Sequence, residues 1–304
     1  MQERFEHKDI IWIDFQSPNR HELIAMAKEF GVGLATIDQM LTTSTRPKIS
    51  EFASYFHIIL HFPGDVFGNE RVTEGMEIHF LLGGAFLVTM HQEHSDALYT
   101  FTRSYETAHI LGTFHKDPHG GHLFISLMQH FYRNIADEID EMNDTIVRVE
   151  KSIFNRKEAK MIEVLAGINR SLLVLKKTMQ FHDVIFTSLK SHSNPLFGEH
   201  FREHLEHLIH EHGYLTQMIQ GTKEILDDVK DTGQLLLTNR TNNFIMVLTM
   251  VAFITVPISL TSEFIALELP LPFLDQGKAS IQVLLAAIGV GLVLLLWSRY
   301  KKWI

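Results

Sequence analysis

The sequence predicts an α/β cytoplasmic domain followed by long stalk helices and two C-terminal transmembrane helices. Three observations support this fold class. Strand-like apolar runs separated by glycine turns fill the first third of the chain, long helical patterns begin near residue 122, and two almost uncharged apolar segments lie within 240–304. The predicted domains are therefore an α/β domain at 1–118, a helical hairpin and stalk at 119–239, and a two-helix membrane domain at 240–304.

The composition limits the kinds of site that the chain can build. Of its 304 residues 45% are apolar, which is enough for a sizeable core. It has no cysteine, so disulfides, thiolate metal sites and cysteine nucleophiles are excluded, and any transition-metal site must use histidine and carboxylate. The net charge of −9 argues against a nucleic-acid partner and is compatible with cations.

The first strand and helix are predicted close to the N-terminus. "IIWIDF" at 10–15 is typical of a buried strand, and "RHELIAMAKEF" at 20–30 is typical of a helix. Gly31 and Gly33 follow directly and mark the end of that helix.

A further strand and a hairpin complete the predicted α/β domain. "YFHIILHF" at 55–62 indicates a strand, and "MEIHFLL" and "AFLVTMH" indicate a β-hairpin around Gly83-Gly84, a turn that tolerates positive φ. Four histidines lie at strand positions and are interpreted as packed or solvated side chains rather than ligands: His57, His61, His79 and His91.

Three long helical segments follow. Two are predicted at 122–154 and 158–190, and a third starts near Glu199 and meets no proline until Pro257. Because no turn cluster interrupts it, we expect the third helix to continue from the cytoplasmic body into the membrane.

Two apolar segments are long enough to cross a membrane. Segment 244–274 contains only two charged residues before its end, Glu263 and Glu268, and segment 281–297 contains none, whereas a span requires ~20 mostly apolar residues. The alternative is a pair of buried core helices. Basic residues precede the first apolar segment, at Arg240, and follow the second, at Arg299, Lys301 and Lys302. Both termini are therefore predicted to be cytoplasmic, with a short outside loop near 264–280, in a bacterial-type inner (plasma) membrane.

The order of these motifs resembles the CorA-type magnesium transporter family, the two-helix metal-ion transporters. The resemblance rests on "WIDF", "RPKISEF" at 46–52, "AFLVTMH", "NRTNNFIMVLTMVAFITVPISL" at 239–260 and a terminal "YKKW", and it covers nearly the whole chain. It implies a funnel-shaped homopentamer in which the first membrane helix of each subunit lines a central pore for metal cations. The cargo would be a divalent ion, Mg²⁺ or another such as Zn²⁺, with no organic cofactor.

The chain departs from the family at its signature. Family members carry Gly-Met-Asn at the outer end of the first span, and zinc-transporting relatives often carry Gly-Val-Asn. An ungapped alignment from Pro257 places Ala266, Leu267 and Glu268 at these positions. Neither the glycine's backbone freedom nor the asparagine's carbonyl is present, so magnesium selectivity cannot be transferred from the resemblance.

A stripe of the first span is the candidate pore lining. Asn242, Thr249, Val256 and Glu263 recur every seven residues, which places them along one side of a helix. The full set of candidates adds two nearby polar residues, Ser259 and Glu268. Two alternatives remain: Thr249 and Ser259 can instead join helices by hydrogen bonds, and the two glutamates can simply lie at the membrane surface.

The stretch "FREHLEHLIHEHGYL" at 201–215 is unusually rich in histidine. His200, His204 and His207 share one helix face, and His210 continues the pattern. One helix can supply two metal ligands at this spacing, and a further ligand would come from another element or subunit. The resemblance adds that the family's stalk carries carboxylates that bind regulatory divalent ions. A metal or pH-sensing site and a solvated helix face both remain possible.

Three functional hypotheses follow. The first is a CorA-like pentameric channel or transporter for divalent cations. The alternative is a degenerate member that acts as a non-selective or tension-responsive channel or as a membrane scaffold. An enzyme has little support, since the sequence contains no Gly-x-Ser-x-Gly elbow, phosphate-binding Gly-Lys-Ser/Thr loop or His-Glu-x-x-His pair.

Overall fold

The computed structural model describes residues 2–7, 10–64, 75–111, 119–153 and 158–266, together with 285, 288, 289, 291–293 and 296. The strands are β1 Gln2–His7, β2 Ile10–Gln16, β3 Lys48–Glu51, β4 Tyr55–Phe62, β5 Met76–Gly83 and β6 Phe86–His91. The helices are α1 Arg20–Phe30, α2 Leu34–Met40, α3 Asp96–Leu111, α4 Gly120–Ile153, α5 Glu158–Met179, α6 His182–His192 and α7 Asn194–Ala266. The chain divides into two compact units, 1–229 and 230–304.

The α/β prediction for the N-terminal part is confirmed. Six strands form one sheet in the order β1-β2-β6-β5-β4-β3, in which only the β2–β6 pair is parallel. The predicted strands at 10–15 and 55–62 and the predicted hairpin correspond to β2, β4 and β5–β6. The edge strands β1 and β3 were not predicted, because neither has the apolar run that marks a buried strand.

Helices α1 and α2 cover one face of the sheet. Asn19 caps α1 in a reciprocal capping box with Glu22, and Gly31 ends the helix in the left-handed conformation at φ 69°. Side chains from both helices and four strands form the core on this face: Ile13, Phe15, Leu23, Met26, Ala27, Val32, Ile37, Met40, Tyr55, Leu81, Phe86, Val88 and Met90.

Helices α3 and α4 contact the opposite face through aromatic side chains. Phe62 stacks on Phe131 of α4 at 4.3 Å between ring centroids, and Trp12 meets Phe101 of α3 edge-on at 5.5 Å. Both faces of β4, β5 and β6 are therefore buried, which explains why these strands read as almost unbroken apolar runs.

The turn between β5 and β6 does not use the positive φ that its glycines would tolerate. Among the described glycines only Gly31 and Gly198 have positive φ. Close packing is the constraint here. A Cβ on Gly120, at the start of α4, would lie 2.3 Å from the carbonyl oxygen of Gly83, and the Gly120 amide donates to the Gly84 carbonyl at 2.9 Å.

The helix predicted at 158–190 is two helices. α5 ends at Met179 and α6 starts at His182, because the carbonyl of Met179 accepts a hydrogen bond from His212 Nε2 at 2.8 Å instead of continuing the helical ladder. α7 contains one non-helical residue, Gly198 at φ 76°, and is then helical to Ala266. The prediction of a helix that starts near Glu199 and continues into the first apolar segment is confirmed.

The part of α7 within 1–229 has a buried stripe at alternating three- and four-residue steps, formed by Phe201, Leu205, Leu208, His212, Leu215, Ile219, Thr222, Leu226 and Val229. The part within 230–304 carries the apolar segment. By length and composition 195–260 can cross a membrane, and none of its most apolar 18-residue window is buried. The predicted second span at 281–297 lies mostly outside the described residues; those that are described there are helical.

Candidate functional site

Five of the six predicted pore residues lie on the last part of α7, and the sixth, Glu268, lies outside the described residues. These five are exposed in the single chain, Asn242, Thr249, Val256, Ser259 and Glu263. The Thr249 hydroxyl donates to the carbonyl of Ile245 at 2.8 Å, one turn earlier, which uses its hydrogen and leaves its oxygen able to accept or coordinate. The arrangement can present neutral oxygens and one carboxylate to water or to a neighbouring chain.

Pro257 identifies a covered side of the same helix. Proline has no N–H to donate to the carbonyl of Phe253, four residues earlier. Gly291 of the second apolar segment lies against this carbonyl: a Cβ on Gly291 would be 3.2 Å from the Phe253 oxygen and 4.0 Å from Pro257 Cγ. Small residues allow such close approach between membrane helices. Val256, with 55% of its surface exposed, is available for another contact.

Sequence reasoning missed this role of Gly291. The signal was present, since a glycine in an apolar segment together with a proline in the preceding one is a common sign of close helix packing. What the sequence could not supply was the pairing of the two positions.

The altered signature lies at the limit of the described chain. Ala266 is the last residue of α7, whereas Leu267 and Glu268 lie outside the described residues. The predicted outside loop near 264–280 overlaps the last turn of α7 and otherwise also lies outside them.

The four histidines predicted as metal ligands occupy different environments. His200 is 90% exposed, and its Nδ1 lies 3.3 Å from the Oε2 of Glu203. His204 is half-buried, and its ring lies 5.4 Å from that of His122 on α4. His207 and His210 are exposed. Within the described part of the chain no three His, Asp or Glu side chains are already arranged around one metal ion.

His182 and His212 are buried structural residues that the sequence did not distinguish. His182 is completely buried, donates from Nε2 to the carbonyl of His61 on β4 at 2.9 Å, and accepts from the Tyr132 hydroxyl at 3.0 Å. Burial lowers the pKa of His182 to about 3, and nearby His212 and His61 act in the same direction. His182 is thus a neutral connector between α6, α4 and the sheet.

A second set of buried polar groups lies on the face covered by α1 and α2. Glu77 accepts from the Ser44 amide at 2.9 Å and from His79 Nε2 at 2.7 Å, and His79 Nδ1 lies 3.0 Å from His57 Nε2. Burial lowers the pKa of His57 to about 3, with smaller effects of His79 and Lys48. The set borders a cavity of about 770 Å³.

A third network joins the parallel strands β2 and β6. Trp12 Nε1 donates to Thr89 Oγ1 at 3.1 Å, Thr89 donates to Asp14, and His91 Nε2 lies 3.2 Å from the other Asp14 oxygen. Burial acts to lower the pKa of His91, but the hydrogen bond to Asp14 and its charge outweigh burial and raise it. The interpretation of the strand histidines as packed side chains agrees with these contacts.

Several known proteins similar to this chain are described as metal-ion transporters. The chain is 22% identical over 311 residues to a putative metal ion transporter, YfjQ, of Bacillus subtilis, covering 99% of this chain and 92% of that protein. It is 23% identical over 300 residues to the cobalt/magnesium transport protein CorA of Thermotoga maritima, covering 96% and 83%. Its fold matches the structure of the CorA magnesium transporter from Methanocaldococcus jannaschii with a TM-score of 0.80 at 19% identity, covering 99% and 93%.

The match to a family model settles the family. The model of the CorA-like Mg²⁺ transporter protein family aligns with residues 7–302, which include both the sheet domain and the apolar segments. The chain therefore belongs to the CorA-like Mg²⁺ transporter family.

Proposed function

We propose that the chain forms a homopentamer in a bacterial-type inner membrane and carries a divalent cation, Mg²⁺ or another such as Zn²⁺, along the first membrane helix. The observation that carries the proposal is α7 itself. The helix packs a regular buried stripe up to Val229 and then exposes an apolar segment of which no part is buried in the single chain. Membership of a transporter family, rather than an enzyme family, supports the same function.

The proposed path follows the exposed polar positions of α7. In a closed ring every position repeats on each subunit, so Asn242, Thr249 and Ser259 supply rings of neutral oxygen, Val256 an apolar constriction, and Glu263 a ring of negative charge. Glu268 extends this charge towards the outer mouth. Oxygen donors suit hard divalent cations, and several carboxylates around one axis concentrate cations and repel anions.

The altered signature supports a second candidate function. With Ala266, Leu267 and Glu268 in place of Gly-Met-Asn, the outer ring attracts cations by charge and lacks the neutral amide that the family uses. Such a ring discriminates weakly between cations, because Mg²⁺ retains its water shell and requires a well-fitted site. The second candidate is therefore a non-selective or tension-responsive channel, or a scaffold without flux.

Flux in liposomes tests both candidates. The purified full chain is reconstituted, and uptake of Mg²⁺, Zn²⁺, Co²⁺, K⁺ and Cl⁻ is compared at external pH 7.5 and 5.5. The first candidate predicts divalent uptake that exceeds K⁺ and Cl⁻ uptake. Cation uptake at similar rates for all ions, or only under membrane tension, favours the non-selective channel, and no flux favours the scaffold.

Glu263→Gln tests the path. We expect it to lower the preference for cations over anions and to flatten the fall in flux at acidic external pH, because the neutral amide keeps the shape and removes the charge. Glu141→Gln is the matched control, since Glu141 is an exposed carboxylate on α4, far along the chain from the apolar segments. Equal selectivity and pH response in the two variants and the parent would place Glu263 at the membrane surface and not in the path.

A further inference from the structure

We propose that His122, His200 and His204 bind a transition-metal cation of the Zn²⁺ class within a single subunit, where the start of α4 meets the start of α7. The site lies in the 1–229 unit and does not depend on the proposed transport. A further ligand has to come from outside the helix that carries His200 and His204, and the structure assigns it to His122.

His122 on α4 and His204 on α7 lie close together. Their ring centroids are 5.4 Å apart, and the rings are nearly perpendicular at 72°. Two imidazoles bound to one tetrahedral zinc ion, each with a Zn–N distance of ~2.1 Å, have ring centres about 5 Å apart. The two rings are therefore already separated by about the distance that a shared ion requires.

The exposed side chain of His200 can reorient towards His204. It precedes His204 by four residues on α7, which puts the two side chains on neighbouring turns of one face. Its side chain is 90% exposed, and its contact with Glu203 is long for a hydrogen bond. No three side chains have yet converged in the described part of the chain. Rotation of His200 towards His204 and His122 is thus the rearrangement that binding requires, with water as the fourth ligand.

Packing behind His122 supports a positioned rather than a mobile ring. His119 lies 3.8 Å from His122 between ring centroids, and His119 in turn contacts Phe197 at 5.4 Å and Phe201 at 5.9 Å. An apolar and aromatic wall on one side and solvent on the other is a suitable surrounding for a neutral-imidazole site.

The donor set defines the class of cation. Imidazole nitrogen prefers Zn²⁺, Ni²⁺ and Co²⁺, whereas Mg²⁺ prefers oxygen and retains its waters. His207 and His210 are not assigned to this site, because both lie close enough to act on the charge of the Glu206 carboxylate, whereas the ring contact with His122 is made by His204. This region of α7 therefore contains two proposed ligands, His200 and His204, and two histidines outside the site, His207 and His210.

Cobalt spectroscopy on the full chain in detergent tests the proposal. We expect one Co²⁺ per chain with the intense visible bands of a tetrahedral ion, displaced by Zn²⁺ and unaffected by excess Mg²⁺. His122→Ala, His200→Ala and His204→Ala should each weaken Zn²⁺ binding by at least about tenfold, since even loss of an outer partner of a ligand costs 10–100-fold. His207→Ala and His210→Ala are matched controls and should stay within about twofold of the parent.

Two results would overturn the proposal. One is a parent protein that shows only the weak bands of octahedral Co²⁺, which indicates oxygen ligation elsewhere, as in a pore. The other is an unchanged Zn²⁺ affinity in His200→Ala. The His200→Ala variant tests the proposal even if His122→Ala or His204→Ala fails to fold, because the His200 side chain is 90% exposed and contributes little to packing. Flux in liposomes is measured separately, so failure of either proposal leaves the other standing.

Discussion

Acid should destabilise the protein through His182, and the size of the effect follows from its surroundings. The side chain is completely buried, and its pKa in the folded protein is lowered to about 3 from the ordinary value of 6.5. The unfolded chain therefore binds a proton at this position below pH 6.5, while the folded protein stays neutral until about pH 3. Stability is fully present above pH 6.5 and is lost progressively as the pH falls towards 3.

The loss can be calculated at an accessible pH. One pKa unit corresponds to about 1.4 kcal/mol, so protonation of the unfolded state costs about 2 kcal/mol of unfolding free energy at pH 5. This figure hardly changes for any folded pKa below about 4. His57, with the same lowered pKa, adds a similar amount. Together the losses of unfolding free energy due to His182 and His57 are a large part of the 5–15 kcal/mol that usually stabilises a domain.

His182→Gln removes the titration and keeps a donor for the His61 carbonyl and an acceptor for the Tyr132 hydroxyl. We expect the variant to lose about 2 kcal/mol less than the parent between pH 7.5 and pH 5. The free energy of unfolding is measured at both pH values by urea titration of the full chain, followed by tryptophan fluorescence, to which the buried Trp12 contributes together with Trp297 and Trp303. His21→Gln, on the exposed side of α1, is the control and should match the parent. Equal acid losses in His182→Gln and the parent would refute the reasoning.

Two further predictions concern the membrane unit and the assembly. Gly291→Leu should destabilise the detergent-solubilised particle by about 1–3 kcal/mol, since the new leucine side chain would press on the Phe253 carbonyl and Pro257. Gly289→Leu is the control, because a Cβ at Gly289 meets no atom of the described residues within 4 Å. Equal thermal stability of the two variants would contradict the close approach of Gly291 to Phe253. Native mass measurement should give five chains per particle, and a stable monomer or dimer would rule out the proposed pore.

The sequence predicted the elements whose burial leaves a one-dimensional pattern. β4 and β6 are buried on both faces and read as apolar runs, and α1 was bounded correctly because a left-handed glycine ends it. The break between α5 and α6 was not predictable, since its cause is a hydrogen bond from His212, which is 33 residues away from Met179 in the chain. The limits of sequence reasoning were thus set by contacts between distant residues.

The same distinction applies to the candidate sites. Spacing placed His200 and His204 on one helix face, but only packing brings His122 from α4 to His204. The sequence contains nineteen histidines, and the residue type alone does not separate structural histidines from candidate ligands. The structure separates connectors such as His182, which is completely buried, from exposed residues such as His210.

The exposed surface of α7 provides the strongest physical reason for a ring. Between 244 and 260 the single chain exposes large apolar side chains on every side except the one near Gly291, including Phe244 at 64% and Leu260 at 52%. Lipid can cover these residues. Glu263 needs contact with water, because a carboxylate in hydrocarbon costs about 2.5–3.5 kcal/mol even on the more permissive scales. Glu263 meets water either at the membrane surface or, in the proposed pore, on the axis. A symmetric ring of the proposed kind accommodates the apolar side chains and the carboxylate together, since it gives each apolar side to lipid or a neighbouring helix and turns the stripe from Asn242 to Glu263 towards water on the axis.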